Sequence, residues 1–166
     1  MAERGQFRHA RVELIRGEIT DIPPQQSLHA ALVSAAQEVL KIAFGNGFVI
    51  RVQLPFSVGA DSEPEPDAAV VPGRPRDYVR AHPNSALLIV EVADSSLAYD
   101  LGEKASLYSE AGVADYWVAD PVSGRLHVHR GPAPSGYQSV VVLSPGTRIR
   151  PLHPQASEVE VADLLP

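Results

Sequence analysis

The chain has 166 residues, 45% hydrophobic and 20% charged, which is the composition of one ordinary globular domain with a single packed core. Fourteen Lys+Arg against twenty Asp+Glu leave a formal charge of −6, so no general attraction draws it to a polyphosphate, and a nucleic-acid substrate requires local positive charge or bound cations. The absence of cysteine excludes disulfides, thiolate zinc sites, iron–sulfur clusters and cysteine nucleophiles, so any metal must sit on oxygen or imidazole.

The opening residues, Met1 to His9, are polar and mixed in charge and carry no apolar segment of a secretory signal, which points to the cytoplasm. Val12 to Arg16, Gly17 and Glu18 to Ile22 predict a tight hairpin. After Pro23-Pro24, apolar residues from Leu28 to Ala43 recur at steps of three and four, predicting an amphipathic helix that opens at Ser27 and stops at Gly45. Phe48 to Val58 reads as a strand with a bulge or edge at Pro55. Ala68 to Val71 and Ala86 to Val92 read as buried central strands, separated by the mostly polar Gly73 to His82. Ala86 to Val90, five residues, is the longest apolar run, against the roughly 20 needed to cross a bilayer. Asp100 and Glu103 have capping-box spacing with Asp100 as N-cap, which predicts a helix near 101–111 ending at Gly112. Tyr116 to Ala119, Leu126 to His129 and Gln138 to Leu143 complete the strands. The expected architecture is α/β, a mixed sheet with two principal helices.

Glu91 interrupts an apolar strand, where removing a carboxylate from water costs several kcal/mol unless a cation or donors compensate. It either faces solvent at the strand end, pairs with an Arg, or belongs to a site, and it shares a strand face with Leu87, Ile89 and Ala93. Asp67 opens the other apolar strand directly after Pro66, and alone it reads equally as a turn residue. The 24 residues between them accommodate two strands and the Arg-rich loop, so neighbouring strands bring both carboxylates to one sheet edge. Two close carboxylates raise one another's pKa unless a divalent cation lies between them, and hard oxygen ligands favour Mg²⁺ or Mn²⁺. Lys104 lies on the helical stripe of Leu101, Leu107, Tyr108 and Ala111, either snorkelling from its edge or facing inward. Beside two carboxylates and a metal, its ammonium orients a water and stabilises charge developing on a phosphate.

A Pro66-Asp67 pair at a strand start, a Glu at the end of the next apolar strand and a nearby Lys resemble the PD-(D/E)XK nuclease superfamily. More narrowly, Glu13-Leu-Ile-Arg-Gly-Glu18, Pro66 to Val71, Ile89 to Val92, Asp100 to Lys104 with Tyr108, and Gly112 to Asp120 resemble, in order, the Uma-type restriction endonucleases. The superfamily's common pattern places the Lys two residues after the acidic strand residue, where this chain has Ala93. The Uma-type branch carries it on the following helix, as Lys104 does. The resemblance implies a restriction-endonuclease-like mixed sheet flanked by helices in one domain over 1–166, with a core at about 11–143 and a C-terminal extension at 144–166. It further implies a Mg²⁺- or Mn²⁺-dependent endonuclease acting on DNA, with Asp67 and Glu91 as metal ligands, Lys104 as a catalytic residue, Glu18 at a second metal position and His29 near the site.

Two further features admit a functional and a bland reading. Arg74, Arg76 and Arg80 form either a phosphate-gripping loop or a solvated one. His127 and His129 share a strand face, a metal spacing that two unliganded strand histidines explain as well. The alternative to a nuclease is a catalytically silent protein of the same fold serving DNA association or assembly, and a homodimer through the late strands is expected.

Overall fold

The computed structural model describes residues 11–166; the polar opening segment lies outside the described residues. Strands β1 (Val12–Ile15) and β2 (Glu18–Asp21) form the expected hairpin, with Glu13 opposite Thr20 and Ile15 opposite Glu18. Its two-residue turn puts Arg16 at φ 50° and Gly17 at φ 80°, the positive angles a tight hairpin turn demands. Helix α1 (Ser27–Phe44) ends where Gly45 adopts φ 66°, and it buries the stripe Leu32, Val33, Ala36, Leu40, Ala43 and Phe44.

A six-stranded mixed sheet follows, in the order β3 (Phe48–Arg51), β4 (Ala68–Pro72), β5 (Leu88–Val92), β6 (Asp115–Asp120), β7 (Arg125–Arg130) and β8 (Ser139–Leu143). All neighbours are antiparallel except β5 and β6. The parallel pair requires a crossover, and the helical segment 97–110 supplies it. Edge strand β3 is shorter than the Phe48 to Val58 expected: Gln53 turns to φ 51° and Pro55 offers no N–H to a ladder.

Alternation along the strands separates two apolar layers. Val70, Leu88, Val90, Trp117, Leu126 and Val128 face α1. Ala69, Ile89, Ala93, Tyr116 and Val118 face the other way, onto Tyr108, Leu107, Phe56 and Ile15. Residues 144–166 are part of the core rather than an appendage to it. They contain the pair β9 (Arg148–Ile149) and β10 (Val159–Glu160), and they set Ala156, Val159, Val161, Leu164 and Leu165 into the α1 layer.

The 97–110 helix departs most from expectation. It comprises α2 (Leu97–Tyr99), a π-helical stretch at Asp100–Lys104 and α3 (Ala105–Glu110). Asp100 is therefore not an N-cap. Helix starts three residues earlier, and Asp100 is only 2% exposed, accepting a hydrogen bond from the Ser96 hydroxyl. The wider π turn directs both Asp100 and Lys104, four residues apart, to the interior.

Candidate active site

Because Ala68 pairs with Val90 across antiparallel strands, the next residues outward, Asp67 and Glu91, meet at the end of that ladder. The Asp67 amide donates to Glu91 Oε2 (3.1 Å), and the Val92 amide donates to Asp67 Oδ2 (2.8 Å). Lys104 Nζ donates to Glu91 Oε1 (3.1 Å), which also accepts from Tyr108 OH (2.9 Å). His29, near the start of α1, places Nε2 3.1 Å from Asp67 Oδ2, and Gln53 Nε2 donates to Asp67 Oδ1 (3.2 Å). Asp67, Glu91, Lys104 and His29 thus line one pocket of about 270 Å³.

Glu18 does not join them: its side chain is exposed on β2, outside the pocket. Glu13, on the facing strand of the same hairpin, points inward instead, is 6% exposed, and has its Oε2 3.7 Å from Lys104 Nζ. The missed signal was the alternation in β1, where Glu13 and Ile15 share an inward face. Asp100 also lines the pocket, with Oδ1 3.9 Å from Lys104 Nζ.

Arg74, Arg76 and Arg80 are exposed and absent from the pocket wall. They follow the end of β4 opposite to Asp67, roughly 17 Å away for five residues at the usual strand rise. His129 is buried between Tyr116 and Tyr137, with ring centroids 5.3 and 5.6 Å away, while His127 Nε2 lies 4.0 Å from Asp120 Oδ2. Among the described residues, no group of three or more His, Asp or Glu side chains is arranged to hold a metal ion.

Burial pushes the Glu91 carboxyl well above the usual range, against the pull of Lys104, and Asp67 and Asp100 push it further. Asp67 moves down instead: burial opposes its charge, but the His29 hydrogen bond and charge, the Val92 amide and Lys104 outweigh it. Burial also opposes the Lys104 charge, yet Glu91, Glu13, Asp100 and Asp67 together raise its pKa above that of an ordinary lysine. Lys104 is thus a fixed cation and donor at neutral pH, not a base. Burial raises Asp100 to about 6, with Lys104 and Ser96 opposing and Asp67 and Glu13 reinforcing.

The donor set fits one hard divalent cation. Asp67 and Glu91 offer adjacent carboxylates, and Mg²⁺ is commonly held by one or two carboxylates, with water and substrate phosphate completing its shell. A cation there would also offset the Asp67 and Asp100 charges that add to burial in raising Glu91.

The mixed sheet, its helical crossover and the carboxylates at one ladder end define a restriction-endonuclease-like fold. A crystal structure described as a putative nuclease belonging to DUF820, from Anabaena variabilis ATCC 29413, shares this fold. It is 19% identical, with a TM-score of 0.77 over 93% of this chain and 89% of that one. The Uma2 family, described as "Putative restriction endonuclease", matches residues 3–162, and the chain belongs to that family. No curated protein matches the chain.

Proposed function

We propose that this chain is a divalent-metal-dependent endonuclease that hydrolyses DNA phosphodiester bonds in the cytoplasm. The observation that carries the reading is the convergence of Asp67, Glu91 and Lys104 in one pocket, from two strands and the helix that follows. Asp67 and Glu91 would hold Mg²⁺ or Mn²⁺, which when bound supplies Lewis-acid stabilisation of charge on the phosphate. Lys104 donates a hydrogen bond to the phosphate or to the attacking water as charge develops. It does so at no reorganisation cost, because Glu91, Glu13 and Asp100 already hold its ammonium in place. His29 from α1 and Gln53 from just beyond β3 orient the Asp67 carboxylate.

A homodimer through β8 belongs to the same proposal. Ser139–Leu143 is the uncharged free edge of the sheet in an acidic chain, and Val140, Val141 and Val142 are each about half exposed.

Calorimetry with Mn²⁺ tests the metal site: wild type should bind and Asp67→Ala should not, and unchanged binding in that variant removes the site. A cleavage assay on supercoiled plasmid and on a single-stranded oligonucleotide tests the chemistry. Lys104→Ala should cut at least a hundredfold more slowly while still binding Mn²⁺. Equal nicking by wild type and Glu91→Ala would exclude this site as its source, and no nicking across metals and substrates would favour a silent nuclease fold.

A further inference from the structure

The pocket opens to solvent on one side, and its depth comes from three stretches of chain. Its lining comes from the hairpin region (Glu13, Thr20), the connection Ile22 to Gln26 with His29, and the segment holding Ser95, Ser96 and Tyr99. At its floor, Glu91 is 2%, Lys104 8% and Asp67 9% exposed. A scissile phosphate must reach that floor to touch Lys104. The volume of about 270 Å³ falls just below the roughly 300–1,000 Å³ typical of small-ligand pockets, so it admits about one nucleotide unit and no helical segment. A strand whose bases are unpaired can follow its phosphate down to that floor, whereas a paired strand is held back by its partner.

Charge points the same way. Among the described residues, seven lining side chains are Asp or Glu, and the two lining Lys or Arg are already engaged, Arg11 with Glu65 at 2.8 Å and Lys104 with Glu91 at 3.1 Å. An intact duplex presents one phosphate charge per about 1.7 Å of axis, twice the density of one strand at about 3.4 Å, and the acidic walls repel it accordingly. The arginine-rich turn that could offset this lies at the far end of β4. The lining also offers apolar surface, in Ile22, the exposed Pro23 and Pro24, and the half-buried ring of Tyr99.

Resting on the nuclease reading above, we infer that the substrate is an unpaired nucleic-acid strand, one nucleotide of which enters the pocket with its base against Tyr99, and not an intact duplex. Tyr99 is then a specificity-determining residue. Lys104 Nζ already lies over its ring, 5.8 Å from the centroid, so a base would stack against the opposite face or the edge, within one nucleotide's reach of the ammonium. Sequence-tolerant stacking of bases on aromatic rings is the usual device of single-strand binding.

The test uses a fluorescein-labelled 20-nucleotide single strand and a dumbbell duplex of the same sequence, which has no ends to fray, with the full chain and Mn²⁺. Fluorescence anisotropy should show the single strand bound at least tenfold more tightly. Tyr99→Ala should lose most of that advantage with its melting temperature unchanged, and Tyr99→Phe should keep it. Equal or tighter binding of the dumbbell, or binding of neither, overturns the inference. A gel run on the same mixtures separates the two proposals: a preserved strand preference without cleavage of either substrate sinks the nuclease reading and leaves the inference standing. Preferential cleavage of the dumbbell does the reverse.

Discussion

At the scale of single residues, the site is a negotiation among four carboxylates and one ammonium. Asp100 carries the clearest consequence, since its folded carboxyl holds a proton up to about pH 6 where an unfolded Asp loses it near 4. Between those values the folded state binds the extra proton, so its stability contribution falls as pH rises from about 4 and is fully lost above about 6. Asp100→Asn removes the titration and keeps an acceptor for Ser96. It should be more stable than wild type by about 1–3 kcal/mol at pH 8 and indistinguishable at pH 4, as read by urea denaturation. A pH-independent difference would show that burial of the charge is not the cause. Asp67 and Glu91 were legible in the sequence because a carboxylate beside or inside an apolar strand demands a partner. Glu13 was legible only by following the alternation of β1 to Ile15, because in a hairpin of four-residue strands one charged inward position otherwise looks like any surface glutamate.

At the scale of elements, the hairpin and the 97–110 helix are joined by Arg16, whose guanidinium reaches Glu103 at 2.6 Å and Glu110 at 2.7 Å. The side chains are 37–43% exposed, so geometry this short still earns little: Arg16→Ala should cost under about 1 kcal/mol in the same denaturation assay. A larger loss would mean that the clamp holds the hairpin in place as a unit. The π-helical stretch was the element that sequence could not reveal. Spacing of Asp100 and Glu103 matches a capping box, and nothing local in Asp-Leu-Gly-Glu-Lys distinguishes a helix start from a widened turn; tertiary attraction of Lys104 to Glu91 and Glu13 decides it. The same packing bears on the strand position two residues after Glu91. Ala93 is 1% exposed among Tyr108, Ala105 and Ile89, and a longer side chain there overpacks, costing roughly 1–3 kcal/mol.

At the scale of the whole molecule, the principal strands and helices follow from alternation and three- and four-residue periodicity, which is why the α/β reading was available from sequence, whereas the strand order is read only from the pairing. The role of 144–166 was not, since its short strands and turns carry no period long enough to read. Ala156, Val159, Val161, Leu164 and Leu165 nevertheless complete the α1 layer. At about 1.5–3 kcal/mol for each fully buried large aliphatic side chain, removing this segment approaches or exceeds a net stability of about 5–15 kcal/mol. A chain ending at 143 should show no cooperative melting transition by circular dichroism, whereas a compact cooperative fold would demote the segment to an appendage. Self-association belongs to this scale too. Val141→Lys, at the middle of β8, should convert a dimer to a monomer by light scattering, and a wild type that is monomeric at high concentration removes the dimer.

The chain's one tryptophan sits where the two faces of the sheet can be told apart by light. Trp117 is 0% exposed, pairs across β5–β6 with Val90, and donates its indole N–H to Asp115 Oδ1 at 2.7 Å. Glu91, one residue along, pairs with Val118 and looks the other way. Ultraviolet emission from this indole therefore reports the integrity of the α1 layer, shielded by the sheet itself from whatever enters the pocket. Site variants that bind neither metal nor strand can be certified as folded by an unshifted emission maximum, with no label attached and no ligand present.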